Sequence, residues 1–198
     1  MQRILMAGDE VHAIGSDVVR VATATGVLAI LAVAALVLLF TAGQPFGTAN
    51  DYLNAVIGVI SAFLAILVSR AFGGSPMLPA LAVVGAGVTV LGSWMVISGT
   101  TGFQFAGFVS AVGFALIGAW LVAANASDGL GAALPPALAR LGIIAGLVMT
   151  VGVIGLAGVA LRIDSAADMR WWLWLYGIGW LGTYVLYPAW CLLIARAG

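Results

Sequence analysis

The chain contains no lysine, and that absence removes several chemistries at once. A retinal Schiff base and a pyridoxal phosphate aldimine both need a lysine amine, so neither can form. The only histidine, His12, falls in a polar leading segment. A haem held by two histidines inside a membrane is therefore excluded, as is a histidine-rich metal cluster. His12 beside Asp9 and Glu10 reads as an ordinary exposed side chain rather than a surface metal site. Cys191 is the sole cysteine, which rules out an intramolecular disulfide and a thiolate cluster. It is expected to act as a small buried hydrophobe.

Charge is the next scarcity. Seven acidic residues balance seven basic ones, all of them arginine, and charged residues make up 7% of the chain. No polybasic patch suits nucleic acid or anionic headgroups, so nucleic acid is not an expected partner. Between Val21 and Ala195 the sequence is apolar except at five short polar breaks, and no carboxylate, lysine or histidine lies inside an apolar run. Ion- or proton-coupled transport generally uses an intramembrane charge, and a hydrolase needs a base beside its nucleophile. With neither in reach of the spans, a non-enzymatic protein with no cofactor and no metal is expected.

What is abundant is apolar: 64% of 198 residues are hydrophobic, far above the roughly one half of soluble domains. The expected fold is all-α, a polytopic integral membrane protein built as a bundle of six transmembrane helices with short loops. The runs cover residues 21–42, 52–69, 77–98, 103–124, 137–161 and 171–195. Each can cross ~30 Å of hydrocarbon. The breaks carry helix-start residues: Asn50 and Asp51 before the second span, Ser75-Pro76 before the third, and Pro135-Pro136 before the fifth. Thr101 with Gln104 and Ser165 with Asp168 have capping-box spacing. Asp51, Asp164 and Asp168 would form an acidic cluster if their loops met, although capping accounts for all three. Arg140 is expected to snorkel or to pair with Asp128.

Two units follow: a polar lead, residues 1–20, and a transmembrane domain, residues 21–198. The lead is long and mixed in charge, so a retained first span is expected rather than a cleaved signal. It either lies on the interface as an amphipathic helix or extends the first span. Arg3, Arg20, Arg70, Arg140 and Arg196 fall on one side of a six-span topology, and Arg162 and Arg170 on the other. By the positive-inside rule both termini are cytoplasmic. Tyr52, Trp94, Trp171 and Trp172 are then expected in an outer aromatic belt, and Trp120 and Trp190 near the inner one. Spans two and three can be laid on spans four and five, for example Leu78-Pro-Ala-Leu-Ala on Pro135-Pro-Ala-Leu-Ala, as a two-helix repeat would require.

Lipid is as apolar as leucine, so membrane helices associate through close backbone approach at small residues. Candidate packing faces are Ala111, Ala115, Ala119 and Ala123 in the fourth span, and Gly142, Gly146 and Thr150 in the fifth. The sixth span instead carries an aromatic ridge of Trp172, Tyr176, Trp180, Tyr184, Tyr187 and Trp190 at three- and four-residue steps. Pro188 predicts a kink near Tyr184. The rings either fill grooves left by the glycine-rich helices, or line a pocket for an apolar or planar ligand oriented by tyrosine hydroxyls.

The stretch from Leu134-Pro-Pro-Ala-Leu-Ala-Arg to the terminal Leu186-Tyr-Pro-Ala-Trp resembles the general pattern of small six-helix prokaryotic membrane proteins. That resemblance implies a prokaryotic cytoplasmic (inner) membrane and transfers no functional residue. Two functions fit: an accessory or assembly subunit of a larger membrane complex, or a transporter, channel or binding protein for a small neutral or hydrophobic molecule. The expected partners are the lipid bilayer, other membrane subunits, and a bound lipid, quinone or pigment.

Overall fold

A computed structural model describes residues 14–73, 75 and 77–197. The expectations for Arg3, Asp9, Glu10, His12 and Pro76 lie outside the described residues. Six long apolar helices form the molecule, a multi-pass membrane protein: α1 (Ser16–Ala42), α2 (Phe46–Phe72), α3 (Met77–Ile97), α4 (Phe103–Asn125), α6 (Pro136–Ala160) and α7 (Trp171–Ala197), with a single-turn α5 (Leu130–Ala133) in the fourth connection. Consecutive long helices lie side by side, and α7 returns against α1 to close the ring.

The helices turn their small residues inward. In α1 the buried stripe is Val18, Ala22, Thr25, Ala29, Ala32 and Ala35, while Ile30, Leu31, Val37 and Phe40 point out. A soluble bundle would do the reverse; here lipid receives the large side chains and backbones meet across the interfaces. The tightest approaches flank α4. A Cβ added to Gly113 would sit 2.6 Å from the Gly85 carbonyl oxygen of α3, and one on Gly118 would sit 2.7 Å from that of Gly146 in α6. Gly142 rests on the Asn125 carboxamide, and Gly152 on the Ala111 carbonyl. Ala111 and Ala115 are buried, whereas Ala119 and Ala123 are only half-buried. The α4 contact line therefore runs through Gly113 and Gly118 rather than along the whole alanine row.

Several sequence expectations need correction. Asn50 and Asp51 do not cap the second span. α2 begins at Phe46, directly after a tight connection of Gly43, Gln44 and Pro45, so both residues lie within the helix. Gly43 makes this connection short by ending α1 at φ 78°, a conformation open to glycine, with its N–H bonded to Leu39 O at 3.0 Å. Thr101 and Gln104 form no capping box: Gly102 precedes α4 and supplies no side chain. The Asp164 carboxylate, from the α6–α7 connection, accepts the Gly102 and Phe105 N–H groups at 2.7 and 3.1 Å instead. Ser165 caps only the 3₁₀ turn Ala166–Asp168, ahead of α7. No group of three metal-binding side chains occurs among the described residues, so Asp51, Asp164 and Asp168 do not converge. α1 begins at Ser16 and buries Val18, so residues 16–20 extend the first span. Trp120 and Trp190 are 0% exposed and sit in the bundle core rather than in a belt, while Tyr52, Trp94 and Trp171 are exposed to the surroundings.

The last two spans are irregular for identifiable reasons. α6 tightens to 3₁₀ geometry at Val151–Ile154, where Gly152 and Gly155 lie against the Ala111 and Phe108 carbonyls of α4. α7 widens to a π turn at Gly182–Leu186, just before Pro188, which has no N–H to return to the Tyr184 carbonyl. Gly179, just before that turn, and Gly182, its first residue, seat the backbone of Gly152 and Met149 of α6.

Packing of this kind has a direct test. Gly118→Leu should destabilise the protein by about 1–3 kcal/mol through overpacking. Gly87→Leu should be close to neutral, because nothing lies within 4 Å of the added Cβ there. Unfolding of both variants in detergent micelles measures the difference, and equal stabilities would contradict the interface.

Candidate functional site

The polar tips of Tyr176, Tyr184, Tyr187 and Trp190 on α7 each meet a partner on another helix, and beside the first two a cavity opens. Nearest the arginine-rich end, Trp190 Nε1 donates to Asn125 Oδ1 of α4 at 3.1 Å, and the Asn125 amide donates to Leu121 O at 2.9 Å. One turn earlier, the Tyr187 hydroxyl donates to Ser61 Oγ of α2 at 3.0 Å. Tyr187 and Trp190 stack with centroids 6.2 Å apart and are 0% exposed. Trp120 closes this layer edge-on to Trp190. Both ridge residues are thus sealed in the core, with no space for a ligand.

Further along, the geometry changes. The Tyr184 hydroxyl donates to Asn54 Oδ1 at 2.8 Å, Asn54 Nδ2 donates to Asn50 Oδ1 at 3.0 Å, and Asn50 Nδ2 donates to Ala32 O at 2.8 Å and to the Tyr184 oxygen at 3.4 Å. This closed ring ties α7 and α2 together and fastens α2 to the backbone of α1. Next to it opens a cavity of about 160 Å³. Tyr176, Trp180 and Tyr184 form its α7 wall, Asn50, Asp51 and Asn54 its α2 wall, and Phe103, Gly107 and Ser110 its α4 wall; Leu36 and Phe40 of α1 complete it. Trp180 and Tyr184 are stacked at 5.4 Å with planes 13° apart, and Tyr176 stands edge-on to Trp180. Gln104 Nε2 donates to the Tyr176 hydroxyl at 2.9 Å, fixing that ring from α4.

Of the six ridge residues, three therefore share the cavity. Tyr187 and Trp190 belong to the sealed core, and Trp172 packs with Phe108, Ile163 and Leu173 in a smaller cluster under the α6–α7 connection. Asn50 and Asp51 enter the site from positions read as a loop in the sequence. The i, i+1, i+4 spacing of Asn50, Asp51 and Asn54 places them on neighbouring positions of one helix and is the signal that could have found them. Asp51 also corrects the expectation of spans free of carboxylate, since it stands in the second turn of α2.

The cavity lies at the end of the bundle opposite Arg20, Arg70, Arg140 and Arg196, near the α6–α7 connection that carries Arg162 and Arg170. Its mixture of aromatic walls and a few convergent polar groups is the composition of a small-molecule site. No family model, curated protein or solved structure matches the chain.

The ring of hydrogen bonds should be measurable as a coupling. Tyr184→Phe is expected to cost about 0.5–1.5 kcal/mol, the range of interhelical bonds in membranes. A double-mutant cycle with Asn54→Leu should return most of that as interaction energy. Strict additivity of the two changes would show that the bond contributes nothing.

Proposed function

We propose that this chain is a non-enzymatic membrane protein that binds a small amphipathic molecule in the cavity bounded by α1, α2, α4 and α7, as a binding protein or the binding step of a transporter. The observation that carries the reading is the split of the α7 ridge. Where Tyr187 and Trp190 could leave a void, the core is closed, but Tyr176, Trp180 and Tyr184 stand beside open volume lined by polar groups. A cavity walled by these rings and polar groups together is consistent with an occupant.

Orientation follows from charge. Four described arginines lie at the end away from the cavity and two in the connection at its own end, so the positive-inside rule favours a cavity facing the exterior of a prokaryotic inner membrane. Phe40 and Phe103, 76% and 43% exposed, stand at its rim and suit a ligand with an apolar part. The outward faces of the helices need no protein partner, because their large side chains are satisfied by lipid. The binding reading therefore stands ahead of the accessory-subunit reading.

Gly107 makes the test clean. It lines the cavity, and a Cβ added there meets only the Tyr176 hydroxyl, at 3.9 Å. Gly107→Leu should fill the space and leave the fold unchanged. Purification from native membranes with mass spectrometry of bound small molecules should give a compound retained by the unaltered protein and lost from Gly107→Leu, at equal thermal stability. A compound retained equally by both would place it elsewhere, and none from either would count against the reading.

A further inference from the structure

The cavity holds one acidic side chain, Asp51, and no arginine lines it. From this and the aromatic walls we infer that the cavity selects a small organic cation, an alkylammonium group paired with the Asp51 carboxylate and resting against the rings of Trp180 and Tyr184. The inference rests on the reading of the cavity as a ligand site and names the chemistry of its occupant.

Hydrogen-bond accounting around Asp51 supports it. The single proton of the Tyr184 hydroxyl goes to Asn54, and the Asn50 amide is engaged by Ala32 O and Tyr184. Asn54 spends one amide proton on Asn50 and keeps one. The polar groups beside Asp51 are thus largely committed to one another, and its carboxylate is left to the cavity. An intramembrane carboxylate is costly and is kept where it has a counter-charge or a proton to handle. The chain offers no lysine, and its one histidine lies outside the described residues.

The walls favour a cation over a neutral donor. Trp180 and Tyr184 form a nearly parallel pair with Tyr176 edge-on, so three electron-rich rings border one carboxylate. A carboxylate combined with tryptophan and tyrosine faces is the recognition chemistry of ammonium groups, whose low charge density suits a ring face better than water does. An anion would meet Asp51 and the negative ring faces together, and is repelled. At about 160 Å³ the cavity is below the 300–1,000 Å³ typical of drug-sized ligands, which limits the occupant to a few heavy atoms around the charged centre.

Three probes of nearly one shape and different charge decide the matter: choline, its neutral carbon isostere dimethylbutanol, and the anion dimethylbutyrate. Each is titrated by calorimetry into the full chain in lipid nanodiscs. Choline should bind about tenfold or more tightly than the alcohol, with the anion weakest. Asp51→Asn should erase the preference for choline over the alcohol, and Gly107→Leu should abolish binding of both. Equal binding of choline and the alcohol, lost in Gly107→Leu, would overturn the cation assignment and leave the pocket standing. Binding of no probe, or binding untouched by Gly107→Leu, would overturn pocket and cation together. The charge series in the unaltered protein decides the point even if Asp51→Asn does not fold.

Discussion

The backbone contacts on the two flanks of α4 are the constraint from which the rest of the bundle follows. Gly113 meets Gly85 on one side and Gly118 meets Gly146 on the other, at distances that admit no side chain. In lipid there is little to gain by hiding leucine, so dispersion across such close contacts, together with interhelical hydrogen bonds, does what hydrophobic burial does in water. With α3 packed on α2, the tight α3–α4–α6 row leaves α4 and α6 set apart from α1. Large rings on α7 occupy most of the space between.

That division of labour explains why α7 carries the polar cross-links. Its tyrosines and tryptophans bring volume and a polar tip on the same side chain, and in hydrocarbon the tip needs a partner. Ser61, Asn125, Gln104 and the Asn50–Asn54 pair supply the partners, each from a different height along α2 or α4. The π turn before Pro188 divides the helix, and the two halves meet different surroundings. Beyond it Tyr187 and Trp190 are enclosed, whereas Tyr176 and Trp180 before it and Tyr184 within it line the cavity. Sealed core and candidate site are thus one aromatic stripe in two environments.

The spans were legible because twenty apolar residues in a row have few other uses, and the ridge because its steps match the helical repeat. The site was harder to read. Asn50 and Asp51 resemble interfacial punctuation in the sequence, and only the position of Tyr184, distant along the chain, makes them part of a buried network. Trp120 and Trp190 sit near span ends and so look like belt residues; their mutual packing inside the bundle depends on how α4 and α7 face each other, which hydropathy does not contain. The start of α4 at Phe103 is where the hydropathy puts it, but its cap is not legible for a similar reason, because the Asp164 carboxylate arrives from another part of the chain. Rows of small residues announced tight helix pairing, but which glycine would oppose which depends on axial offsets between helices that no single sequence window encodes.

Asp164 gives that last point a mechanical meaning. Its carboxylate takes two of the first amides of α4, between which lies Phe103 at the cavity rim, and the next residue, Gln104, holds Tyr176 in the wall. The α6–α7 connection and the cavity rim are therefore fastened to each other through one carboxylate. One wall of the cavity thus takes its position from a loop that does not line it, about sixty residues further along the chain.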